Sequence, residues 1–122
     1  MNFPANLKYS KSHEWVKEIS GGLFEIGISD FAQKELGDIV YINLPQIGDA
    51  ITAGKSFADI ESVKAVSDIL SPVTGTVKEI NDAIVSAPDA INKSPYESWL
   101  IRAQGTAGAG LLSAGEYKEI CK

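Results

Sequence analysis

The stretch Ile60-Glu61-Ser62-Val63-Lys64-Ala65-Val66-Ser67-Asp68-Ile69 decides the fold of this chain. The sequence is nearly symmetric about the Lys64–Ala65 bond. Reading outward from it, the residues pair as two valines, two serines, two carboxylates and two isoleucines. Directly opposed residues of an antiparallel hairpin share a face and an environment. The symmetry therefore predicts a β-hairpin with Lys64-Ala65 as its two-residue turn.

The alternation of residues along this hairpin predicts what each face does. Ile60 and Ile69 fall on one face, which we expect to point into the core, while the valines and carboxylates share the other face. Opposed carboxylates at Glu61 and Asp68 destabilise a strand pair, and Lys-Ala is not a favoured hairpin turn. Two locally unfavourable features in one hairpin indicate a functional site. The predicted turn also exposes Lys64 at its apex.

A helix is the alternative for this segment. Apolar residues recur at every third position, at Phe57, Ile60, Val63 and Val66. The same window contains four β-branched residues between positions 60 and 69, which favours strands because such side chains lose rotamer freedom in a helix.

The rest of the chain predicts a mainly β protein. Glycine and proline punctuate short apolar runs, which predict strands at 13–19, 23–28, 39–44, 72–80 and 99–102, with a very short strand between turns at 48–49 and 54–55. We expect a flattened antiparallel β sandwich or barrel. Short helices at its periphery and one C-terminal helix would complete this fold.

Capping signals locate the helices. A helix is predicted over 29–37, capped by Asp30 with Gln33 reaching back and Gly37 at its C-terminus. The segment 81–95 predicts loops with one helical turn at 88–91, and the small residues of 104–110 predict a flexible linker. Ser113 and Glu116 form a capping box for a helix over 113–121, whose apolar stripe would be Tyr117, Ile120 and Cys121.

Composition excludes several function classes. The 122 residues predict one domain over 1–122, and a net charge of −5 argues against binding nucleic acid or an anionic membrane. The single cysteine, Cys121, excludes a disulfide framework and cysteine-based metal sites. With His13 as the only histidine, we expect no metal site and no Ser-His-Asp triad. We expect an intracellular monomer that is not itself an enzyme.

A resemblance narrows the function. The run 61–68, followed by Ser71-Pro72-Val73-Thr74-Gly75, resembles the lipoyl-attachment hairpin of the glycine cleavage system H protein family. Motifs at family-like spacing extend this resemblance over nearly the whole chain, at 9–16, 27–33, 36–40, 44–45, 92–100 and 111–117. The resemblance implies that lipoate is attached to Lys64 as an amide, which would change the net charge from −5 to −6. It also implies that the sandwich or barrel is of the lipoyl/biotinyl-carrier type (barrel-sandwich hybrid). Lipoylation recognition by Glu61, Val63, Ala65, Asp68 and Gly75 is a further implication of the resemblance.

The same resemblance implies a carrier function. The arm would shuttle the aminomethyl group of glycine between glycine decarboxylase (pyridoxal phosphate), aminomethyltransferase (tetrahydrofolate) and dihydrolipoamide dehydrogenase (FAD), after lipoyl-attaching enzymes have loaded it. The family implies that the loaded arm folds into a cleft, for which Ser12 and Glu14 match the family positions and Phe31 and Asp68 are further candidates. Alternation sends His13 to the opposite face from Ser12 and Glu14, so we expect it outside this cleft.

Other functions stay open. A lipoyl relay that donates its group to other apoproteins would show the same residues. A biotin carrier would have methionines beside the lysine, where this chain has Val63 and Ala65, and a 2-oxo acid dehydrogenase lipoyl domain would be shorter. We expect a bacterial cytoplasmic location, or the mitochondrial matrix for a processed eukaryotic protein.

Overall fold

The computed structural model describes residues 1–121, and strands dominate them. The nine strands described are β1 (Lys8–Tyr9), β2 (Glu14–Ser20), β3 (Leu23–Ile28), β4 (Ile39–Asn43), β5 (Ala50–Ile51), β6 (Ser56–Ser62), β7 (Val66–Leu70), β8 (Val73–Ile80) and β9 (Ile101–Ala107). The helices described are α1 (Asp30–Leu36), α2 (Asp82–Ser86), α3 (Ala90–Lys93) and α4 (Ala114–Ile120).

Two antiparallel sheets form the body of the protein. One has six strands in the order β1-β2-β3-β9-β8-β5, and the other has three in the order β4-β6-β7. The main core includes fully buried side chains from both sheets, among them Ile26 and Ile101 from the larger sheet and Ile60 from the smaller one. The predicted sandwich with short helices and a C-terminal helix is confirmed, whereas the barrel alternative is not, because neither sheet closes on itself.

The decisive stretch is a hairpin, β6–β7, and the helix alternative is wrong. Its faces are as predicted, since Ile60 and Ile69 are buried. The turn, however, is Val63-Lys64 rather than Lys64-Ala65: Ile60 is opposite Ser67 and Glu61 is opposite Val66, which moves the register by two residues. A shift of two preserves the face of every side chain.

Ser62 explains the observed turn. Its backbone N–H donates to the Ala65 carbonyl at 2.8 Å, which closes the turn. Its hydroxyl oxygen accepts from the N–H groups of Lys64 and Ala65, both at 3.2 Å. A serine at the first turn position favours such local hydrogen bonds, and this preference determines the register. The two opposed carboxylates are consequently Asp59 and Asp68, not Glu61 and Asp68.

The linker predicted over 104–110 is wrong for its first half, because β9 continues to Ala107. Gly105 lies opposite Gly75 of β8. A Cβ at Gly105 would lie 2.0 Å from the Thr74 carbonyl oxygen, and one at Gly75 would lie 2.1 Å from that of Gln104. Glycine at both positions therefore lets two strand backbones approach closely, so the small residues serve packing rather than flexibility.

The short helices differ from prediction at their starts. Ser29, not Asp30, caps α1, since its side chain accepts from the Ala32 N–H at 3.1 Å. Gly37 ends this helix with φ 77°, as predicted. In the segment 81–95, α2 lies where a loop was expected, whereas the helical turn predicted at 88–91 is present as α3, shifted by two residues. Asn81 caps α2, and the buried Ile84 and Ile91 anchor α2 and α3 to the core, a tertiary contribution that local pattern does not reveal.

The C-terminal helix packs against a second, aromatic cluster. Tyr117 is fully buried and stacks on Tyr9 with ring centroids 4.6 Å apart, while Phe3 meets it edge-on at 5.3 Å. The predicted capping box of Ser113 and Glu116 is present. Ile120, predicted to dock, is 44% exposed. Seven helical residues present only a narrow buried stripe, and Tyr117 occupies it.

This cap gives a measurable prediction. Ser113→Ala removes the hydroxyl that accepts from the Glu116 N–H, and loss of such a cap lowers the free energy of unfolding by about 1 kcal/mol. Denaturant unfolding should show a lower midpoint with an unchanged slope. Ser86→Ala at the exposed end of α2 is the matched control and should leave the midpoint unchanged; equal effects of both variants would contradict the role of the cap.

Candidate functional site

Lys64 lies at the tip of the β6–β7 hairpin and is exposed. Its side chain lies over Gly37, where a Cβ atom would be 3.0 Å from Lys64 Cε. Its Nζ donates to the Glu35 carbonyl oxygen at 3.3 Å. The lysine therefore rests on the C-terminal end of α1, at a place where glycine leaves room for it.

A cavity of about 160 Å³ opens beside this lysine. We call it the Glu14 cavity. Its apolar wall consists of Ile28, Ala32, Leu36 and Ile69. Its polar lining consists of Ser12, His13, Glu14, Glu35, Ser67 and Asp68. Because Glu35 both lines the cavity and holds Lys64 Nζ through its carbonyl, a group attached to this lysine would start at the cavity's edge.

Glu14 is the most unusual residue of the cavity, because it is a charged residue that is only 1% exposed. Oε1 accepts from the hydroxyls of Ser10 at 2.6 Å and Ser12 at 2.5 Å, and Oε2 accepts from the Leu70 N–H at 3.4 Å. Burial raises the pKa of Glu14, and these hydrogen bonds offset only part of that effect. Within residues 1–121 no basic side chain forms an ion pair with it, so the carboxylate is suited to bind a cation that enters the cavity.

His13 lines the same cavity, so the predicted placement on the opposite face is wrong. Residues 10–13 form a turn and not a strand, and β2 begins only at Glu14. His13 has φ 77°, in the left-handed region, and its Nδ1 lies 2.7 Å from the Tyr117 hydroxyl. Alternation between neighbours holds only in extended backbone, which explains the error.

Of the cleft candidates, Ser12 and Glu14 are brought together, and Asp68 lies at the same cavity. Phe31 is not among the lining residues; its ring instead lies 4.7 Å from that of His13. As the second residue of α1 it projects beside the cavity rather than into it, and it supports the His13 ring from outside.

The candidates for lipoylation recognition divide into two groups. Glu61, Val63 and Ala65 lie with Asp68 on the hairpin around Lys64, and Val63 is 67% exposed. Gly75 lies in β8 between β5 and β9, where it allows the close strand approach described above. Its backbone environment gives it a packing role in this structure.

Sequence reasoning missed three residues of the site: Ser10, Ser29 and Tyr117. Ser10 donates to Glu14, and its position two residues before Ser12 and four before Glu14 was a usable signal. The Tyr117 hydroxyl lies 2.6 Å from Ser29 Oγ and 2.7 Å from His13 Nδ1. No local signal connects residues separated by 88 and 104 positions.

Two other kinds of site find no support. Across the described part of the chain, no group of three or more His, Cys, Asp or Glu side chains could hold a metal ion. None of the helices among residues 1–121 is long and apolar enough to span a membrane.

Known proteins resemble this chain over nearly its whole length. The family model described as glycine cleavage H-protein matches residues 7–122. The glycine cleavage system H protein of Treponema denticola is 46% identical, with all of both chains covered. That of Lachnoclostridium phytofermentans is 48% identical over 96% of this chain and 93% of the relative.

A solved structure is similar as well. The crystal structure of a glycine cleavage system H protein from Mycobacterium marinum superposes with a TM-score of 0.90 at 37% identity, covering 95% of this chain and 96% of that one. Family match, full-length relatives and superposition agree. The chain belongs to the glycine cleavage H-protein family.

Proposed function

We propose that this chain, as one lipoyl-carrier domain over 1–122, holds a lipoyl group as an amide on Lys64. It would shuttle the aminomethyl group of glycine between glycine decarboxylase, aminomethyltransferase and dihydrolipoamide dehydrogenase, without catalysing a reaction itself. The observation that supports this most is the exposed Lys64 at the edge of a cavity with a buried carboxylate that, among residues 1–121, forms no ion pair. The family membership above supports the same function.

The surroundings of Lys64 suit covalent attachment. Its Nζ makes one hydrogen bond of 3.3 Å and, among the described residues, no ion pair. Acylation therefore sacrifices little native interaction. It replaces an ammonium by a neutral amide and adds one unit of negative charge to a chain of net charge −5.

The residues of the Glu14 cavity suit a loaded arm. Bound lipoate supplies a pair of sulfur atoms that can be reduced and can hold a one-carbon amine. An amine is protonated near neutral pH, and Glu14 offers it a carboxylate whose position Ser10 and Ser12 fix by hydrogen bonds. The apolar wall formed by Ile28, Leu36 and neighbouring side chains limits access of water.

The hairpin face around Lys64 suits recognition by the enzymes that attach lipoate. We assign this role to Glu61, Val63, Ala65 and Asp68, since they surround the lysine and no basic side chain within 1–121 forms an ion pair with either carboxylate. Gly75 acts indirectly, by keeping β8 against β9. The relatives named above are bacterial, and we place the chain in a bacterial cytoplasm.

The proposal is tested by loading the chain in vitro. Purified protein is incubated with a lipoate-attaching enzyme, ATP and lipoate, and each lysine-containing peptide is then analysed by mass spectrometry. We expect one lipoyl adduct, on the peptide containing Lys64. Lys55, which lies in an exposed turn at the opposite end of β6, is the internal control and should stay unmodified. A chain that stays unmodified at Lys64 contradicts the proposed function.

A further inference from the structure

We propose that His13 is a hydrogen-bond donor of the Glu14 cavity, with the proton fixed on Nε2 by Tyr117 and Ser29, and that it donates to a sulfur of the arm. The identification of a sulfur as the acceptor of this hydrogen bond rests on the proposed function. The tautomer of His13 does not, because it follows from the unmodified chain.

Three contacts fix His13 in place. Its Nδ1 lies 2.7 Å from the Tyr117 hydroxyl, its ring packs on Phe31 at 4.7 Å, and its carbonyl accepts from the Ser29 N–H at 3.0 Å. Of the non-glycine residues described, His13 is the one with positive φ, 77°. Backbone in this region is uncommon outside glycine and costs free energy that surrounding contacts must offset.

Counting protons decides which nitrogen of His13 is protonated. Ser29 and Tyr117 are fully buried, and each hydroxyl has one proton to donate. Ser29 Oγ already accepts from the Ala32 N–H. If Ser29 donates to Tyr117 and Tyr117 donates to His13 Nδ1, every buried hydroxyl proton has an acceptor.

The opposite direction leaves one proton without an acceptor. If His13 Nδ1–H donated to Tyr117 and Tyr117 donated to Ser29, the Ser29 proton would have no acceptor within the described chain. A buried donor without a partner costs about 1–3 kcal/mol. The first arrangement is therefore favoured, and neutral His13 has its proton on Nε2.

Nε2–H is then the polar group that His13 offers to a ligand. Within residues 1–121, Nε2 of His13 has no hydrogen-bond partner. Every buried side-chain nitrogen or oxygen in that range does have a partner. Nε2 is consequently accessible, on a half-buried side chain that lines the cavity. It is available to an acceptor that enters.

Burial, rather than the neighbouring charges, favours a neutral imidazole at His13. Burial lowers the pKa of His13, against the opposing effect of the Glu35 carboxylate. Titratable groups that face it are Glu35 from α1, Asp68 from β7, Tyr117 from α4 and its chain neighbour Glu14 from β2. Tyr117 is not a competing charge, because burial raises its pKa above the ordinary value.

His13 and Glu14 would bind different chemical groups of the ligand. A neutral imidazole that presents N–H cannot bind an ammonium but can bind a lone pair or an anion, whereas the Glu14 carboxylate binds an ammonium. At the far end of a lipoyl arm the acceptors are its sulfurs, and a thiolate is the stronger one. His13 would thus stabilise the thiolate of the reduced arm next to the site for the amine.

The tautomer is measured first, on unmodified protein. Long-range ¹H–¹⁵N NMR of ¹⁵N-labelled chain should show His13 with Nδ1 unprotonated and Nε2 protonated at pH 8. In Tyr117→Phe, which keeps the ring but removes the hydroxyl, we expect a mixture of tautomers. Ser67→Ala, at the same cavity but outside this network, should match the native chain. A native Nδ1–H tautomer would overturn the proposal.

The acceptor is measured on lipoylated protein reduced with a phosphine. The rate of alkylation of the arm is followed against pH on the Lys64 peptide, with Cys121 resolved on its own peptide. In His13→Asn, where asparagine tolerates positive φ, we expect the thiolate titration to move up by about one pH unit. An unmoved profile would refute the sulfur as acceptor. Failure to load Lys64 would instead refute the proposed function and leave the tautomer result standing.

Discussion

Replacing Lys64 by arginine should abolish loading with lipoate and with it all carrier activity. A guanidinium stays protonated at any accessible pH and is not the amine nucleophile that amide formation needs. The fold should be unaffected, because Lys64 is exposed and its side chain makes one hydrogen bond, to the Glu35 carbonyl. We expect glycine-dependent ammonia release, measured with the three partner enzymes, to fall to the level seen without the chain.

The same variant separates a carrier from a structural protein. Its free energy of unfolding should stay within about 0.5 kcal/mol of the native value, as for most surface substitutions. Lys55→Arg is the matched control, since Lys55 is also an exposed turn lysine, and it should retain full loading and activity. Activity in Lys64→Arg, or loss in both variants, would contradict the assignment of Lys64.

The decisive hairpin shows how much local sequence can predict. The faces of β6 and β7 followed from alternation, because burial of Ile60 and Ile69 depends only on parity. The register did not, since registers that differ by two residues bury the same side chains. The hydrogen bonds of Ser62 decided between them, and these depend on turn chemistry that the sequence symmetry obscured.

The site shows a different limit. The family resemblance implied Ser12 and Glu14, and the structure brings both to one cavity. His13 was misplaced because positive φ interrupts the alternation just before β2. Tyr117 was predicted only as an apolar helix residue, since its bonds to His13 and Ser29 arise from packing across the fold.

Composition also misled in one region. The Gly- and Ala-rich stretch 104–110 has the composition of a linker, yet Gly105 belongs to β9. Whether a glycine marks flexibility or a close backbone approach depends on its partner strand, and here that partner is Gly75. Composition within one segment contains no information about the strand across from it.

Replacing Glu14 by glutamine should have opposite effects on function and on stability. The cavity would lose its charge for an ammonium, and a charge-assisted hydrogen bond contributes about 1.5–3 kcal/mol. We expect the loaded amine to be held about 10- to 100-fold less well, measured as faster ammonia release from the loaded protein in the absence of aminomethyltransferase. Glu97→Gln, an exposed carboxylate, is the matched control and should leave that rate unchanged.

Stability should move the other way because of proton linkage. The pKa of Glu14 is raised in the folded state, so the folded chain binds more protons than the unfolded chain above the ordinary pKa of 4.5. The free energy of unfolding therefore falls as the pH rises from that value through the folded-state pKa. Glutamine does not titrate, so this pH-dependent loss of unfolding free energy would be absent. Its amide oxygen can still accept hydrogen bonds from Ser10 and Ser12.

We accordingly expect Glu14→Gln to be more stable than the native chain at pH 7, by on the order of 1 kcal/mol, and nearly equal at pH 4. Urea unfolding at both pH values measures this difference. A variant less stable at both would show that the carboxylate is held for packing, and its burial would then need no ligand to explain it. Greater stability together with weaker retention of the amine would instead show that the fold gives up stability at Glu14 to keep a charge ready for its cargo.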